Sequence, residues 1–340
     1  MNLVPSSEIS VVIQGPLYRS SDEYGIEATI ESIRRCLPDA EIIISTWIGE
    51  DTSGLEYHQL VVSEQPVKLL DRIGNPNYLG HQIKSTKCGI ALSTKPYVLK
   101  IRADHSLLSN QFCLNPEKVN KDSRFAVFNN KVIVSSFFLR NSLKVPFLFH
   151  ISDLLQFGKR EDLITFWTLP IPTLEELLQK SPKGHLGLFG NYCGAALFRE
   201  APEQTIILSL LKKINFVIDL PYPCATKYEW FYIWENLLSE NFHVIDADKP
   251  IIVFPHRFNN AFLGKKTVLR EMDLKEIKKN PGSKLRYGKL LFNKYFLVWF
   301  HPRYWMSTLN IILSRIYPSL AQKVRVWLRK KLGLTHDERK

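Results

Sequence analysis

Cysteine is scarce in this chain and follows no pattern. The five cysteines, Cys36, Cys88, Cys113, Cys193 and Cys224, form no C-x-x-C pair. That argues against a disulfide framework and a structural zinc site, and it points to a reducing cytosol. Long apolar runs are missing as well. A spanning helix needs about 18 or more apolar residues in a row, so none is expected here. The opening MNLVPSSEIS has neither a basic n-region nor an apolar h-region, and no signal peptide is expected. There is no P-loop, G-x-G-x-x-G fingerprint or G-x-S-x-G elbow, which speaks against an ATPase, a Rossmann dehydrogenase and an α/β-hydrolase. Internal repeats and low-complexity tracts are absent too.

The 340 residues suffice for one large or two ordinary domains. A hydrophobic content of 45% and a charged content of 23% belong to a globular protein. The net charge of +12 is unevenly placed. Residues 284–340 hold 13 Lys and Arg against two acids, so the rest is nearly neutral. The basic balance therefore says little about the body. Charge and pattern shift together near Asn280-Pro281-Gly282. This predicts a body over 1–282, with halves 1–110 and 111–282, and a basic helical tail over 283–340.

The body opens with alternating elements. Ile9 to Gln14 reads as a buried strand, ended by Gly15-Pro16. Ile26, Ile30, Ile33 and Leu37 line one face of a helix. Glu41 to Trp47 is a second strand, which makes a βαβ unit with parallel pairing. A short strand at Leu60 to Val62, a loop from Lys68 to Tyr78 and a helix from Leu79 to Ser93 follow. Gly80 and Gly89 dilute the apolar stripe of that helix. The second half predicts a hairpin or two short strands around Asn129-Asn130, an acid-dotted stretch from His150 to Trp167, and a strand from Tyr192 to Phe198. A helix opened by Pro202, another from Trp230 to Leu238, and strands within His243 to Phe254 complete it.

YVLKIRADHSL, Tyr97 to Leu107, organises the rest. Alternation along a strand puts Lys100, Arg102 and Asp104 on one face and Leu99, Ile101 and Ala103 on the other. Ligands in open α/β sheets sit at the carboxyl ends of strands, where Asp104-His105-Ser106 would lie. An acid there with Lys and Arg behind it suits a divalent cation and a phosphate. The alternative is an edge strand with a solvated, salt-bridged face.

The blocks VVIQGPL (Val11 to Leu17), EIIISTW (Glu41 to Trp47), HQIKSTKCGI (His81 to Ile90), YVLKIRAD (Tyr97 to Asp104), FHISDLLQFGKREDL (Phe149 to Leu163) and APEQ (Ala201 to Gln204) run in order along the chain. Together they resemble the WavE family of bacterial lipopolysaccharide-biosynthesis proteins, and the element order is similar to a GT-A glycosyltransferase domain. The resemblance implies a GT-A-like α/β fold with a mostly parallel central sheet. It also implies transfer of a sugar from a nucleotide-sugar donor to lipid-linked oligosaccharide, lipopolysaccharide core or capsular glycan. Two departures stand out. His81 occupies the place of an expected arginine before Gln82, and the strand end has one acid where the family pattern has two.

The resemblance implies roles as follows. Asp104 and Ser106, with His256 after a late strand, would hold Mn2+ or Mg2+. Gln14, Gly15, Pro16, Ser45, Thr46, Trp47, His81, Gln82, Lys100 and Arg102 would meet the nucleotide diphosphate. Lys100 and Arg102 could instead brace Asp104, and Trp47 could simply fill core. Glu203, in a first helical turn, and Asp153 are the candidate general bases. Acids in a first turn also serve the helix dipole. The competing functions are a nucleotidyl- or phosphosugar transferase and a non-catalytic adaptor on membrane or nucleic acid; no nucleic acid is expected.

The tail holds two short amphipathic patterns. Trp305, Leu309, Ile312 and Ile316 form the first apolar face. Leu320, Val324, Trp327 and Leu328 form the second, with Lys323, Arg325, Arg329 and Lys330 largely off it. Such segments lie in a membrane interface without crossing it. The expectation is a cytoplasmic protein, peripheral on an anionic inner-membrane surface.

Overall fold

The computed structural model describes residues 2–19, 25–72, 74–180, 197–246, 251–255 and 267–300, together with 305, 308–309, 312–314 and 316–331. From the amino end, β1 (Ile9–Gln14) leads to α1 (Ile26–Cys36), β2 (Glu41–Trp47) and β3 (Gln59–Ser63). The expected loop contains a small ladder, β4 (Leu69–Leu70) against β5 (Pro76–Asn77), before α2 (Leu79–Leu92). Next come β6 (Tyr97–Arg102), β7 (Ser106–Leu107), β8 (Val132–Ser135) and β9 (Leu155–Lys159). Helices α3 (Arg160–Trp167), α4 (Leu174–Leu177), α5 (Pro202–Lys213) and α6 (Tyr228–Asn241) follow. Strands β10 (Phe242–Ile245) and β11 (Ile252–Val253) come after them.

Seven strands form one sheet, in the order β10-β8-β9-β6-β1-β2-β3. Six run parallel, and β9 runs against both its neighbours. Helices flank the sheet, and the pleat divides its side chains between them. Ile9, Val11, Ile13, Ile42, Ile44, Leu99 and Ile101 join α1 in one core. Val12, Ile43, Val98, Val132 and Val134 join α2, α3, α5 and α6 in the other. Gly89 has a structural reason: a Cβ there would meet Val12 Cγ1 at 2.4 Å and Ser45 Cβ at 3.0 Å, so only glycine lets α2 lie this close to the sheet.

Several expectations change. β6 lies between β9 and β1 and is not an edge strand; Lys100 and Asp104 are buried and Arg102 is partly exposed. The hairpin around Asn129-Asn130 does not form. Val132–Ser135 is a single strand paired with β9 and β10, and Asn130 makes only an isolated bridge to Lys118. The Asp162 carboxylate bonds Asn129 N and Asn130 N at 2.7 and 3.0 Å, which holds the turn as a loop. Most of the Tyr192 to Phe198 strand lies outside the described residues.

The packing does not stop at Gly282. The helix Lys284–Tyr295 buries Leu290 in the core of α6. Arg286 Nη2 lies 2.6 Å from buried Glu235 Oε2, which also accepts from Gly282 N at 2.6 Å. The Lys294 ammonium is buried and donates to Cys224 O at 2.7 Å and Thr226 Oγ1 at 3.0 Å. Among the described residues, no helix is long and apolar enough to cross a membrane.

Candidate active site

The carboxyl edge of the parallel strands gathers the ionisable groups. Ile101 pairs with Leu155 across β6 and β9. Because β9 is reversed, the residues just before it return to the end of β6, and Asp153 arrives beside the Arg102–Asp104 stretch. Lys100 donates to the Asp153 carbonyl. Its ammonium also lies 5.0 Å over the Trp167 ring, whose indole N–H donates to Gln156 Oε1 at 2.8 Å. Lys100 is thus a fully buried prop under Asp153. Burial lowers its pKa to about 8, while the charges of Asp153 and Asp104 oppose that shift.

Arg102 and Asp104 meet side by side. Arg102 Nε lies 3.0 Å from Asp104 Oδ1, and Nη2 lies 3.3 Å from Oδ2. His105 Nδ1 is 2.7 Å from the same Oδ1. Burial works against the Arg102 charge, but Asp104, Asp153 and Glu203 raise its pKa overall. This is the bracing expected as one alternative for Arg102. Ser106 is buried in β7 and pairs with Val253 of β11. That strand ends shortly before His256, which lies outside the described residues.

Glu203 sits in the first turn of α5, after Pro202. Gln204 fixes that turn: its carboxamide accepts from Ala201 N at 2.9 Å and donates to Leu148 O and Pro223 O at 2.8 and 2.9 Å. Burial pushes the Glu203 carboxyl up to about 7, the Asp153 charge pushes the same way, and Arg140 and Arg102 oppose. Glu203 Oε2 lies 3.6 Å from His150 Nε2. Burial and the Arg140 charge hold that imidazole well below its usual pKa, so it is neutral at pH 7. Asp153 Oδ2 is buried with no hydrogen-bond partner among the described residues. A carboxylate oxygen in that state calls for a proton, a cation or a donor from a ligand.

His150 and Arg140 were not among the predicted site residues. Each follows a bulky residue forced to positive φ: Phe149 at 61° and Phe138, two positions earlier, at 62°. Such strain in a bulky side chain gathers at functional sites. No residue pattern announces it.

A second group lies at the ends of β1 and β2 beside α2. Ser85 Oγ is 2.7 Å from Gln14 Oε1, and Ser45 donates to Ser85 O at 2.6 Å. Gly15 has φ 109°, which only glycine adopts freely, and nothing lies within 4 Å of where a Cβ would be. Pro16 follows, half-buried. Trp47 is buried and meets the His81 ring edge-on at 5.6 Å. Burial and the Lys68 charge lower the His81 pKa. At neutral pH the ring therefore carries no positive charge toward a phosphate. Thr46 Oγ1, His81 Nδ1 and Gln82 Oε1 are buried without a hydrogen-bond partner among the described residues.

Among the described residues no three His, Cys, Asp or Glu side chains are grouped to hold a metal ion. Asp104 supplies one carboxylate and Ser106 a neighbouring hydroxyl. Magnesium usually keeps several waters and takes one or two protein carboxylates plus phosphate oxygens. These residues do not form an all-protein cage, and a cation shared with a diphosphate would have to share the Asp104 oxygens with Arg102 and His105.

The family model for WavE lipopolysaccharide synthesis matches residues 9–322. No curated protein matches the chain. Among solved structures, the chain is similar to the mannosyltransferase PcManGT from Pyrobaculum calidifontis, determined in complex with GDP-Man and Mn2+. Identity is 11%, the coverage is 98% of this chain and 84% of that one, and the TM-score is 0.35. It is also similar to HddC from Yersinia pseudotuberculosis, at 9% identity and a TM-score of 0.26, covering 46% of this chain and 79% of that one. Likenesses at this level say nothing about substrate.

Proposed function

The chain belongs to the WavE lipopolysaccharide-synthesis family, and from that premise we propose that it is a glycosyltransferase. It moves a hexosyl group from a nucleotide-sugar donor onto a lipid-linked or lipopolysaccharide-core acceptor at an anionic membrane surface. The observation that carries this reading is the gathering of Asp104, Asp153 and Glu203 around Arg102, whose charge all three favour, with the Glu203 carboxyl raised to about 7. A group poised near the working pH is suited to accept a proton.

In this reading the acceptor hydroxyl attacks the anomeric carbon, the bond from that carbon to the diphosphate oxygen breaks, and the hydroxyl proton passes to Glu203. Asp153 is the alternative proton acceptor. Neutral His150 beside Glu203 adds no charge that would hold the carboxylate ionised and weakly basic. Arg102 stabilises charge at the phosphates while keeping Asp104 oriented. Asp104 with Ser106, and His256 as a further proposed ligand, would hold a divalent cation, Mn2+ or Mg2+, which when bound neutralises charge on the departing diphosphate. Gln14, Gly15, Pro16, Ser45, Thr46, Trp47, His81 and Gln82 form the nucleotide side.

The test is slow donor hydrolysis by the purified chain over a panel of nucleotide sugars, with and without Mn2+. Release of nucleoside diphosphate and free sugar supports glycosyl transfer. Pyrophosphate release from a nucleoside triphosphate and a sugar 1-phosphate, tested in parallel, would replace this reading with nucleotidyl transfer, and no turnover in either assay would sink both.

A further inference from the structure

The C-terminal segment is arranged inside out. Residues 305, 308–309, 312–314 and 316 are helical. Trp305, Leu309, Ile312 and Ile316 fall on one face, and they are 46%, 60%, 41% and 61% exposed. Ser314, about half a turn from Ile312, is buried. A helix packed only to complete the body would turn the opposite way. Further apolar side chains are exposed on both sides of it in sequence. Phe292, Phe296 and Phe300 are exposed before it, and Leu320, Val326 and Trp327 are exposed after it. Large apolar side chains left exposed along one stretch of chain in this way mark an interaction site.

We propose that this face docks on an anionic lipid bilayer. Charge decides between occupants. The same segment, 284–340, carries 13 Lys and Arg against two acids. A second copy would bring an equally basic surface and be repelled, whereas anionic headgroups attract it. Aromatic and aliphatic side chains with flanking cations, in helices too short to cross, are the composition of an interfacial segment. Lys331 lies 5.1 Å over the Trp327 ring, so cation and aromatic reach the surface together. The helix Lys284–Tyr295 is fixed to the body through Glu235 and Leu290, so the docked face holds the body at a set orientation. The helix Pro318–Lys331 abuts the loop before α2: a Cβ at Gly74 would meet Gln322 Nε2 at 2.8 Å. Docking therefore brings that loop near the bilayer. The proposal deepens the reading above and depends on it only for where the acceptor resides.

The experiment is co-sedimentation of the full chain with phosphatidylglycerol–phosphatidylcholine vesicles and with phosphatidylcholine vesicles, at low and high salt. It is repeated for the double variant Leu309→Glu, Ile316→Glu. Both sites are exposed and outside the catalytic groups, so thermal unfolding and donor hydrolysis in solution should not change. The expected result is salt-sensitive binding to the anionic vesicles that falls at least about tenfold in the variant. Equal binding by both chains, or equal binding to both vesicle types, overturns the proposal. So does a wild-type dimer, seen by light scattering, that the variant dissociates while neither chain binds vesicles. Vesicle binding that behaves as expected in a chain without donor hydrolysis leaves the docking face standing and removes the transferase reading.

Discussion

Arg102 grips Asp104 with two nitrogens, Nε at 3.0 Å from Oδ1 and Nη2 at 3.3 Å from Oδ2. Arg102 ends β6 and Asp104 lies in the turn that follows, where the guanidinium fork matches the carboxylate. Asp104 is thereby held in one orientation before any substrate arrives.

Asp104→Asn should therefore cost more activity than stability. The amide keeps the shape but offers one donor where Arg102 needs an acceptor. Donor hydrolysis at saturating Mn2+ is expected to fall by about a hundredfold or more, with a modest drop in thermal midpoint. Near-wild-type turnover would place the reacting centre elsewhere.

Glu203→Gln should lower turnover by at least about tenfold with donor affinity nearly unchanged, because a base acts in the transition state. The wild-type rate should rise with pH through about 7, where burial and the Asp153 charge place the Glu203 carboxyl. An unchanged rate, or a loss of donor affinity alone, would rule Glu203 out as the base.

Glu203 also makes a stability prediction. Its folded pKa is raised from an ordinary 4.5 to about 7, so the folded chain holds the proton more tightly than the unfolded one. Its contribution is therefore fully present below pH 4.5 and is lost as pH climbs to about 7. Glu203→Gln cannot ionise, so its thermal midpoint should exceed the wild type's at pH 8 and approach it near pH 5. Identical midpoints at both pH values would show that the carboxyl is not desolvated as described.

Gly89→Ala should destabilise by about 1–3 kcal/mol, since the new methyl overlaps Val12 and crowds Ser45. Urea unfolding measures this directly. A neutral result would mean that α2 can shift away from the sheet at little cost.

A chain ended after Gly282 should be much less stable than one ended after Phe300. The shorter chain leaves Glu235 buried without Arg286 and uncovers the core around Leu290. Breaking a buried pair in this way costs about 3–5 kcal/mol, readable as a shift in denaturation midpoint. Equal midpoints would make the helix Lys284–Tyr295 an accessory.

The elements of the first half could be read from residue pattern, and for one reason. β1, β2 and β6 are covered on both faces, so each is an apolar run closed by a turn or a charge, and α1 repeats its isoleucines at helical spacing. The local position of Asp104 at a strand end followed from the same pattern. The partners of those elements did not. Periodicity assigns Lys100 to a face but not what covers it, and a buried Lys100 against Trp167 depends on α3 packing there. Asp153 reaches Arg102 because β9 enters the sheet reversed between β6 and β8, and Glu203 joins them from α5. That pairing joins residues far apart in the chain, so no local propensity encodes it. The tail shows the same division. Its apolar stripes and its charge are matters of sequence, but which way the stripes face was decided by the tertiary structure, which buries Ser314 and leaves Leu309 and Ile316 outside.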